Sequence, residues 1–406
     1  MELGPVFRAV MYQKGRFWLV ALEVAITLAI VVNCVNLALD LKARYSRPTG
    51  LAEDEILVVQ VEPFAPELSE EAYRDAVRER DLEALRALPG VRAATAISAV
   101  PLSGGGSATG RRARGTEGEP STTPYFVVSS GALETLGVEL VAGRDFTEAE
   151  LAMETEDFEG ETTPAIVSRA FAEKVFGEPA PLGRVMESSA GESSEYVVGV
   201  VDRMPNSWPD SEENAELSVL MSGRPGNDRR AYYLVRAEPG GVEAVFPMLD
   251  EAVLAVESGR IVEVETLVDV KRDTFSAQHA LVKILSGIIA LLVFVTGLGI
   301  VGLTSFSVTQ RRRQIGTRRA LGATRTAIVR YFLVENWLVI GLGIVLGIGL
   351  TYGLNYALAE AAAAPKLGWE LLAGGAALLW VAGLGAALWP ALRAARVAPV
   401  VATRTV

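Results

Sequence analysis

The chain has 406 residues, of which 50% are hydrophobic and 21% are charged, and its formal net charge is −11. This combination is typical of a membrane protein that also carries a large water-soluble part. The single cysteine, Cys34, and the single histidine, His279, exclude an internal disulfide, a thiolate cluster and a multi-histidine metal site.

Four apolar runs are each about 20 residues or longer, which is enough to cross about 30 Å of hydrocarbon. These transmembrane helices are predicted at residues 17–39, 281–308, 332–359 and 371–392. The predicted fold is an α/β membrane protein with a large extracytoplasmic domain, of two α/β-type subdomains, inserted between helices 1 and 2. The flanking segments are predicted as a cytoplasmic amphipathic start (1–16), a cytoplasmic loop (309–331) and a cytoplasmic tail (393–406).

Basic residues set the predicted orientation. The stretch from Gln310 to Val334 has seven arginines and no acid, whereas most acids lie between Asp40 and His279. Arginine excess in short loops marks the cytoplasmic side, so both termini are expected inside and residues 40–280 outside. A cleaved signal peptide at residues 1–39 is the alternative, but the run is longer than an h-region and no A-x-A-like site follows it.

The two ends of the extracytoplasmic segment share one pattern. Residues 50–100 and 229–270 each read as strand, helix and strand, which predicts one α/β subdomain built from both ends, with stalk helices connecting it to the membrane. Residues 101–228 would be an inserted, mainly β subdomain with a mobile acidic loop at 150–161. Its expected strands are Tyr125–Ser129, Ala165–Ser168 and Tyr196–Val201.

Within this insert, the segment from Gly105 to Arg112 resembles half of a phosphate-binding loop. Arg111 and Arg112 occupy the positions where Lys and Ser or Thr are required, so the groups that would contact phosphate and Mg²⁺ are missing. We therefore predict a flexible loop here and no nucleotide site.

The predicted membrane helices contain glycines at helix-packing spacing. Small residues four apart allow helix backbones to approach closely in lipid. In the third span these are Gly343 and Gly347, followed by Gly349 and Gly353. We predict that all four form packing faces, the alternative being that glycine is simply frequent in membrane helices.

Several segments together resemble the permease subunits of MacB/FtsX-type ABC transporters. The permease part is carried by FRAVMYQKGR, RRRQIGTRRALGATRTAIVRYFLVEN and PALRAARVAPVVA. The segments SSGALETLGVELVAGRDFTE, TTPAIVSRAFAEKVFGEPAPLGRV and YVVGVV look like the MacB-type periplasmic core domain. These matches cover nearly the whole chain and follow the order found in the family.

This resemblance implies a non-catalytic permease subunit of a bacterial inner membrane, which transmits ATP hydrolysis to periplasmic conformational change that drives efflux. The implied partners are a cytoplasmic ABC ATPase on a separate chain, a second permease copy or paralogue, and a periplasmic adaptor with an outer-membrane duct. No cofactor is expected on this chain, because ATP and Mg²⁺ would bind the ATPase, and no nucleic acid is expected as a partner. Lipoprotein release and regulation of a periplasmic cell-wall enzyme stay open as alternatives, and no residue identifies the cargo.

The resemblance also implies which residues couple to the ATPase. Charge would come from Arg311, Arg312, Arg313, Arg318, Arg319 and Arg325; an apolar knob from Ile315, Ala320 and Leu321; and tight turns from Gly316 and Gly322. The alternative for the arginines is contact with lipid headgroups. Gln314 stands where the family usually has an acid, and the sequence LEVA at residues 22–25 replaces small residues. Both departures favour a heterodimer.

Overall fold

The computed structural model describes residues 14–117, 119–152, 162–189, 194–209, 214–225, 230–362 and 364–397. It divides into a helical unit, Met1–Ala43 with Gln278–Val406, and an α/β unit, Arg44–Ala277. The predicted amphipathic start lies almost entirely outside the described residues, and so does most of the predicted acidic loop, at residues 153–161.

The elements follow one another in this order. The helices are α1 (Lys14–Tyr45), α2 (Glu71–Arg86), α3 (Ala132–Leu136), α4 (Glu148–Leu151), α5 (Arg169–Phe176), α6 (Val242–Val256), α7 (Leu267–Thr274), α8 (Ser276–Gln310), α9 (Arg312–Ala320), α10 (Arg325–Ala362) and α11 (Trp369–Ala395). The strands are β1 (Ile56–Pro63), β2 (Val91–Ile97), β3 (Ser107–Ala113), β4 (Ser121–Val128), β5 (Leu140–Gly143), β6 (Thr162–Ser168), β7 (Val185–Ser188), β8 (Ser194–Val201), β9 (Val219–Ser222), β10 (Ala231–Ala237) and β11 (Arg260–Thr266).

Four of the described helices, α1, α8, α10 and α11, are long and apolar enough to cross a membrane. The prediction of four apolar helices, with an α/β domain between the first and the second, is confirmed. The helices extend beyond the apolar runs, most clearly in α10, which begins at Arg325 and not at residue 332. Hydropathy detects only the stretch suited to hydrocarbon, whereas backbone hydrogen bonding continues past it into polar sequence.

In the α/β unit, β11, β1, β10 and β2 form an antiparallel sheet in that spatial order. Alternating residues of β1 point to opposite faces. Leu57, Val59 and Val61 pack beneath α2 and α6, in a cluster with Leu85 and Val245. On the opposite face, Ile56 and Val58 pack in a second cluster that includes Leu136 of α3 and Leu267 of α7.

Six of the seven remaining strands form a closed ring, and the seventh, β5, pairs with β8. Pairings run from β4 to β3, β7, β8, β6 and β9, and β9 pairs again with β4 in parallel. Closure removes free hydrogen-bonding edges along this path. The ring joins the antiparallel sheet through one residue pair between β2 and β4, Ile97 opposite Val128.

The prediction of a flexible loop at residues 105–112 is wrong over most of its length, because Ser107–Ala113 is strand β3. Arg111 is only 1% exposed there and makes an ion pair with Glu195, a residue of β8 that is fully buried. Its guanidinium carbon also lies 5.0 Å from the centre of the Tyr125 ring. A buried charge needs such a partner, and the partner lies too far along the chain for local sequence to reveal it.

Candidate coupling site

The arginine-rich stretch folds into α9, a short helix between the long helices α8 and α10. It ends at Ala320, and Gly322, two residues later, has a φ of +94°. The amide of Gly322 donates to the carbonyl of Arg319, and the amide of Ala323 donates to that of Arg318. This is the Schellman arrangement, which favours glycine at the left-handed position. Gly316 is not at a turn, contrary to the sequence prediction: it is buried inside α9.

The beginning of α9 is fixed to α10 by Arg311. Its Nη1 donates to the hydroxyl of Tyr331 at 2.8 Å and to the carboxylate of Glu335 at 3.0 Å. Tyr331 and Glu335 are four residues apart, so they lie on the same face of α10. The guanidinium of Arg318 also lies over the Tyr331 ring, at 5.3 Å from its centre. The side chain of Arg311 is therefore hydrogen-bonded within its own chain.

The other end of α9 is fixed to the end of α11. Arg319 Nη1 donates to the backbone carbonyl of Val397 at 2.7 Å and to that of Ala395 at 3.1 Å. The last carbonyls of a helix have no partner within the helix, and a cation there also interacts favourably with the helix dipole. Arg319 thus satisfies carbonyls at the end of α11 and holds α9 beside them.

The prediction that Ile315, Ala320 and Leu321 form an apolar knob for a partner is only partly correct. Ile315 is 5% exposed and packs in a cluster with Ile328, Phe332 and Ala391, so it faces the chain's own helices. Leu321, in contrast, is 83% exposed. Ala320 beside it is exposed as well. An exposed leucine at the end of an arginine-rich helix is available to a partner.

Four of the predicted charged residues keep exposed side chains. They are Arg312, Arg313, Arg318 and Arg325. We use the name outer face of α9 for these exposed side chains and Leu321: Arg312, Arg313 and Arg318 belong to α9, Leu321 follows it and Arg325 begins α10. This face combines cationic groups with one large apolar side chain, a composition suited to an acidic protein surface with an apolar pocket.

Sequence reasoning missed Tyr331 and Glu335. Glu335 is the first acid after the seven arginines, and it lies in an otherwise apolar stretch. An acid in such a position requires a partner. That signal was present in the sequence, and it could have pointed to one of the arginines.

The predicted packing glycines of the third span divide into two pairs. A Cβ added at Gly343 would lie 2.7 Å from the carbonyl oxygen of Ala21, and one added at Gly347 would lie 3.1 Å from the Cα of Ala25. Both glycines therefore let α10 approach the backbone of α1. At Gly349 and Gly353 an added Cβ would meet no described atom within 4 Å. The prediction for this second pair is not met within the single chain.

Hydrogen bonds also link the long helices to one another. Thr27 of α1 and Thr296 of α8 share a hydrogen bond of 2.8 Å. Asn355 of α10 donates to the side-chain oxygen of Asn33 in α1 at 3.1 Å, and Thr304 of α8 donates to Asn336 of α10 at 3.1 Å. Such bonds between helices are typical of helix packing in membranes.

Comparison with known families gives two matches that cover most of the chain. The family model described as the MacB-like periplasmic core domain matches residues 17–245. The model described as the FtsX-like permease C-terminal domain matches residues 286–399, which include α9 and both of its anchoring residues, Arg311 and Arg319.

Individual proteins are also similar to parts of this chain. An uncharacterized ABC transporter permease YknZ of Bacillus subtilis is 25% identical over 80% of this chain and 78% of its own length. A macrolide export ATP-binding/permease protein MacB of Bdellovibrio bacteriovorus is 25% identical over 65% of this chain, which spans 41% of that protein. The solved extracellular domain of YknZ aligns with 52% of this chain and 99% of its own, with 16% identity and a TM-score of 0.34.

Proposed function

This chain belongs to the MacB- and FtsX-type permeases of ABC transporters, and from that premise we propose that it couples a separate cytoplasmic ATPase to movement of its extracytoplasmic α/β unit. The chain would itself be non-catalytic, with ATP and Mg²⁺ bound by the ATPase. One observation carries the proposal: α9 is held at both ends by its own chain, while its outer face stays exposed.

This arrangement suits force transmission. A helix that is bonded to α10 through Arg311 and to α11 through Arg319 cannot move without displacing those two helices. Ile315 adds a packed apolar contact in between. A partner that pushes on the outer face would therefore act on long helices and not on a flexible loop.

The proposed location in the cell follows from the membrane orientation that the arginine-rich stretch predicts. With α9 in the cytoplasm, both termini would be cytoplasmic and the membrane would be the bacterial inner membrane. A second permease copy or a paralogue would complete the transporter, and a periplasmic adaptor with an outer-membrane duct would extend it. Export is the proposed output, since the MacB relative is named for macrolide export.

The test begins with purification of the full chain through an affinity tag placed after Val406, followed by mass spectrometry of the proteins that come with it. Recovery of an ABC ATPase supports the proposal. A chain that returns alone from several mild detergents contradicts it and would leave the arginines as lipid-headgroup contacts.

The variant Leu321→Asp then tests whether the ATPase contacts the outer face of α9. Leu321 is 83% exposed, so its replacement should leave the fold intact while it abolishes ATPase recovery and stimulated ATP hydrolysis. The matched control is Leu182→Asp, which changes a leucine that is 45% exposed in the α/β unit. Equal ATPase recovery with both variants would contradict the role of the outer face.

A further inference from the structure

The α/β unit contains a cleft of about 600 Å³ on the sheet face opposite α2 and α6. We propose that this cleft, which we call the β11 cleft, binds an amphipathic organic cation. This goes beyond coupling to an ATPase, because binding would be a property of the α/β unit and needs no nucleotide.

Three neighbouring strands build the floor of the β11 cleft. Gln60 of β1 lies opposite Tyr232 of β10 and opposite Glu263 of β11, and Val58 lies opposite Glu265. Side chains at paired positions share a face. The register of the sheet therefore brings an amide, an aromatic ring and two carboxylates together at one site.

The walls come from α7 and from the segment that leads into β3. Val270, Asp273 and Thr274 of α7 line one side, and the other side is lined by Ser98, Ala99, Val100, Ser103, Gly105, Gly106 and Ser107. The second wall is held in place by backbone hydrogen bonds, in which Leu102 donates to Asn206 at 3.1 Å and Gly104 donates to Ser207 at 2.6 Å. The cleft is thus formed before a ligand arrives.

Charge determines the kind of ligand. The lining includes three acids, Glu263, Glu265 and Asp273, and one base, Arg230. Arg230 makes an ion pair with Glu62, and Asp273 lies 3.7 Å from Arg272, so the charges of one base and one acid of the lining are partly offset. Among the described residues, no hydrogen bond or ion pair engages Glu265. The β11 cleft therefore carries a net negative charge, which attracts cations and repels anions.

The size and the apolar lining of the β11 cleft narrow the class of ligand further. A cleft of about 600 Å³ falls within the range of drug-sized ligand sites. Val270 and the ring of Tyr232, both half-buried, supply apolar surface, whereas Val58, Ala99 and Val100 are at most 7% exposed. An aromatic ring can also receive a cationic group on its face. No group of three potential metal ligands exists among the residues the structure describes. An organic cation with an apolar body fits these features better than a metal ion does.

The test measures binding of rhodamine 6G, a cationic dye, to the full chain in nanodiscs of neutral phosphatidylcholine, by fluorescence anisotropy. Empty nanodiscs give the lipid background, and anionic fluorescein serves as the probe of opposite charge. We expect saturable binding of rhodamine 6G and none of fluorescein. Absence of saturable rhodamine 6G binding would overturn the proposal, whatever the ATPase experiments show.

Variants then test whether rhodamine 6G binds in the β11 cleft. Glu263→Gln with Glu265→Gln should weaken rhodamine 6G binding by about tenfold, because two carboxylates in the lining lose their charge. The matched control is Glu243→Gln with Glu251→Gln, which removes the same charge from exposed positions on α6. Equal weakening by both pairs, or unchanged binding in the β11 pair, would overturn the proposal.

Discussion

The guanidinium of Arg311 lies 3.0 Å from the carboxylate of Glu335, and this ion pair joins the start of α9 to α10. The two side chains are only 14% and 15% exposed, so solvent screens them less than it screens a surface pair. Sequence reasoning assigned Arg311 to contact with a partner, whereas this contact shows that Arg311 holds α9 to α10 within the chain.

Replacement of either member of this pair should uncouple α9 from α10. We expect Arg311→Gln and Glu335→Gln each to lower ATPase stimulation about tenfold, which corresponds to about 1.4 kcal/mol. Because both act through one contact, the double variant should lose no more than the worse single variant. Arg330→Gln, at an exposed position of α10 that lies outside the outer face, gives the measure for loss of charge alone. Additive losses would show that Arg311 and Glu335 act separately.

Removal of the Arg319 side chain should loosen the end of α11. Two carbonyls lose a charged donor, which typically costs about 1.5–3 kcal/mol. In Arg319→Gln we expect faster hydrogen exchange of the amides in the last turn of α11. Arg312→Gln is the comparison, since this arginine is exposed at the start of α9. Identical exchange in both variants would argue against the contact.

The two glycine pairs of α10 should respond differently to a large side chain. Gly343→Leu would place atoms against the backbone of α1 and should destabilise the helical unit by about 1–3 kcal/mol or more. A Cβ at Gly349 meets no described atom within 4 Å, so Gly349→Leu should be tolerated in the isolated chain. Thermal unfolding in detergent compares the two. If Gly349→Leu impairs only the assembled transporter, the second pair packs against another subunit.

The α/β unit depends on a buried ion pair that the sequence did not reveal. Asp81 is fully buried, and Arg260 donates to its carboxylate at 2.9 Å through Nη2, while the hydroxyl of Tyr233 donates at 2.6 Å. Arg260→Met should cost about 3–5 kcal/mol because it leaves a buried charge without its partner. Tyr233→Phe removes a single hydrogen bond and should cost about 1 kcal/mol. Pulse proteolysis in urea measures both, and a smaller loss for Arg260→Met would contradict this interpretation.

The stability of the segment around α4 should depend on pH. Hydrogen bonds from Arg144, at 2.7 and 2.8 Å, lower the pKa of Glu150 from 4.5 to about 2. A lowered pKa means that the stabilisation is present above pH 4.5 and is lost as the pH falls toward 2.

Glu150→Gln lacks this stabilisation at every pH. The difference in unfolding free energy from the wild type should be about 1 kcal/mol at neutral pH, because Arg144 is half exposed and solvent screens the pair. That difference should shrink as the pH falls below 4.5 toward the lowered pKa. A constant difference across this range would contradict the assigned cause.

The features that sequence could predict are those with a local or periodic signal. Four long apolar helices, and an α/β domain between the first and the second, follow from hydropathy and from alternation along strands. Gly322 carries its own local signal, because a helix that ends in left-handed backbone favours glycine.

The features that sequence could not predict depend on residues far apart in the chain. Arg111 lies in a glycine-rich segment that reads as a loop, but the segment is a strand that pairs with β4 and β7, and Glu195 and Tyr125 surround the buried guanidinium. Ile315 looks like a surface knob until α10 and α11 pack over it. In each case, the contact that determines the position of the side chain comes from an element that is distant in sequence.

The position of β1 in the sheet has a consequence for how the domain folds. Its hydrogen-bonded neighbours are β10 and β11, which begin at Ala231 and Arg260, close to the far end of the same unit. Contacts so distant in sequence are slow to form, since the intervening chain must first be brought together. During synthesis, β1 would therefore emerge early and wait without a partner until almost the whole unit has followed, and that interval is the time at which a newly made chain is most exposed to misfolding.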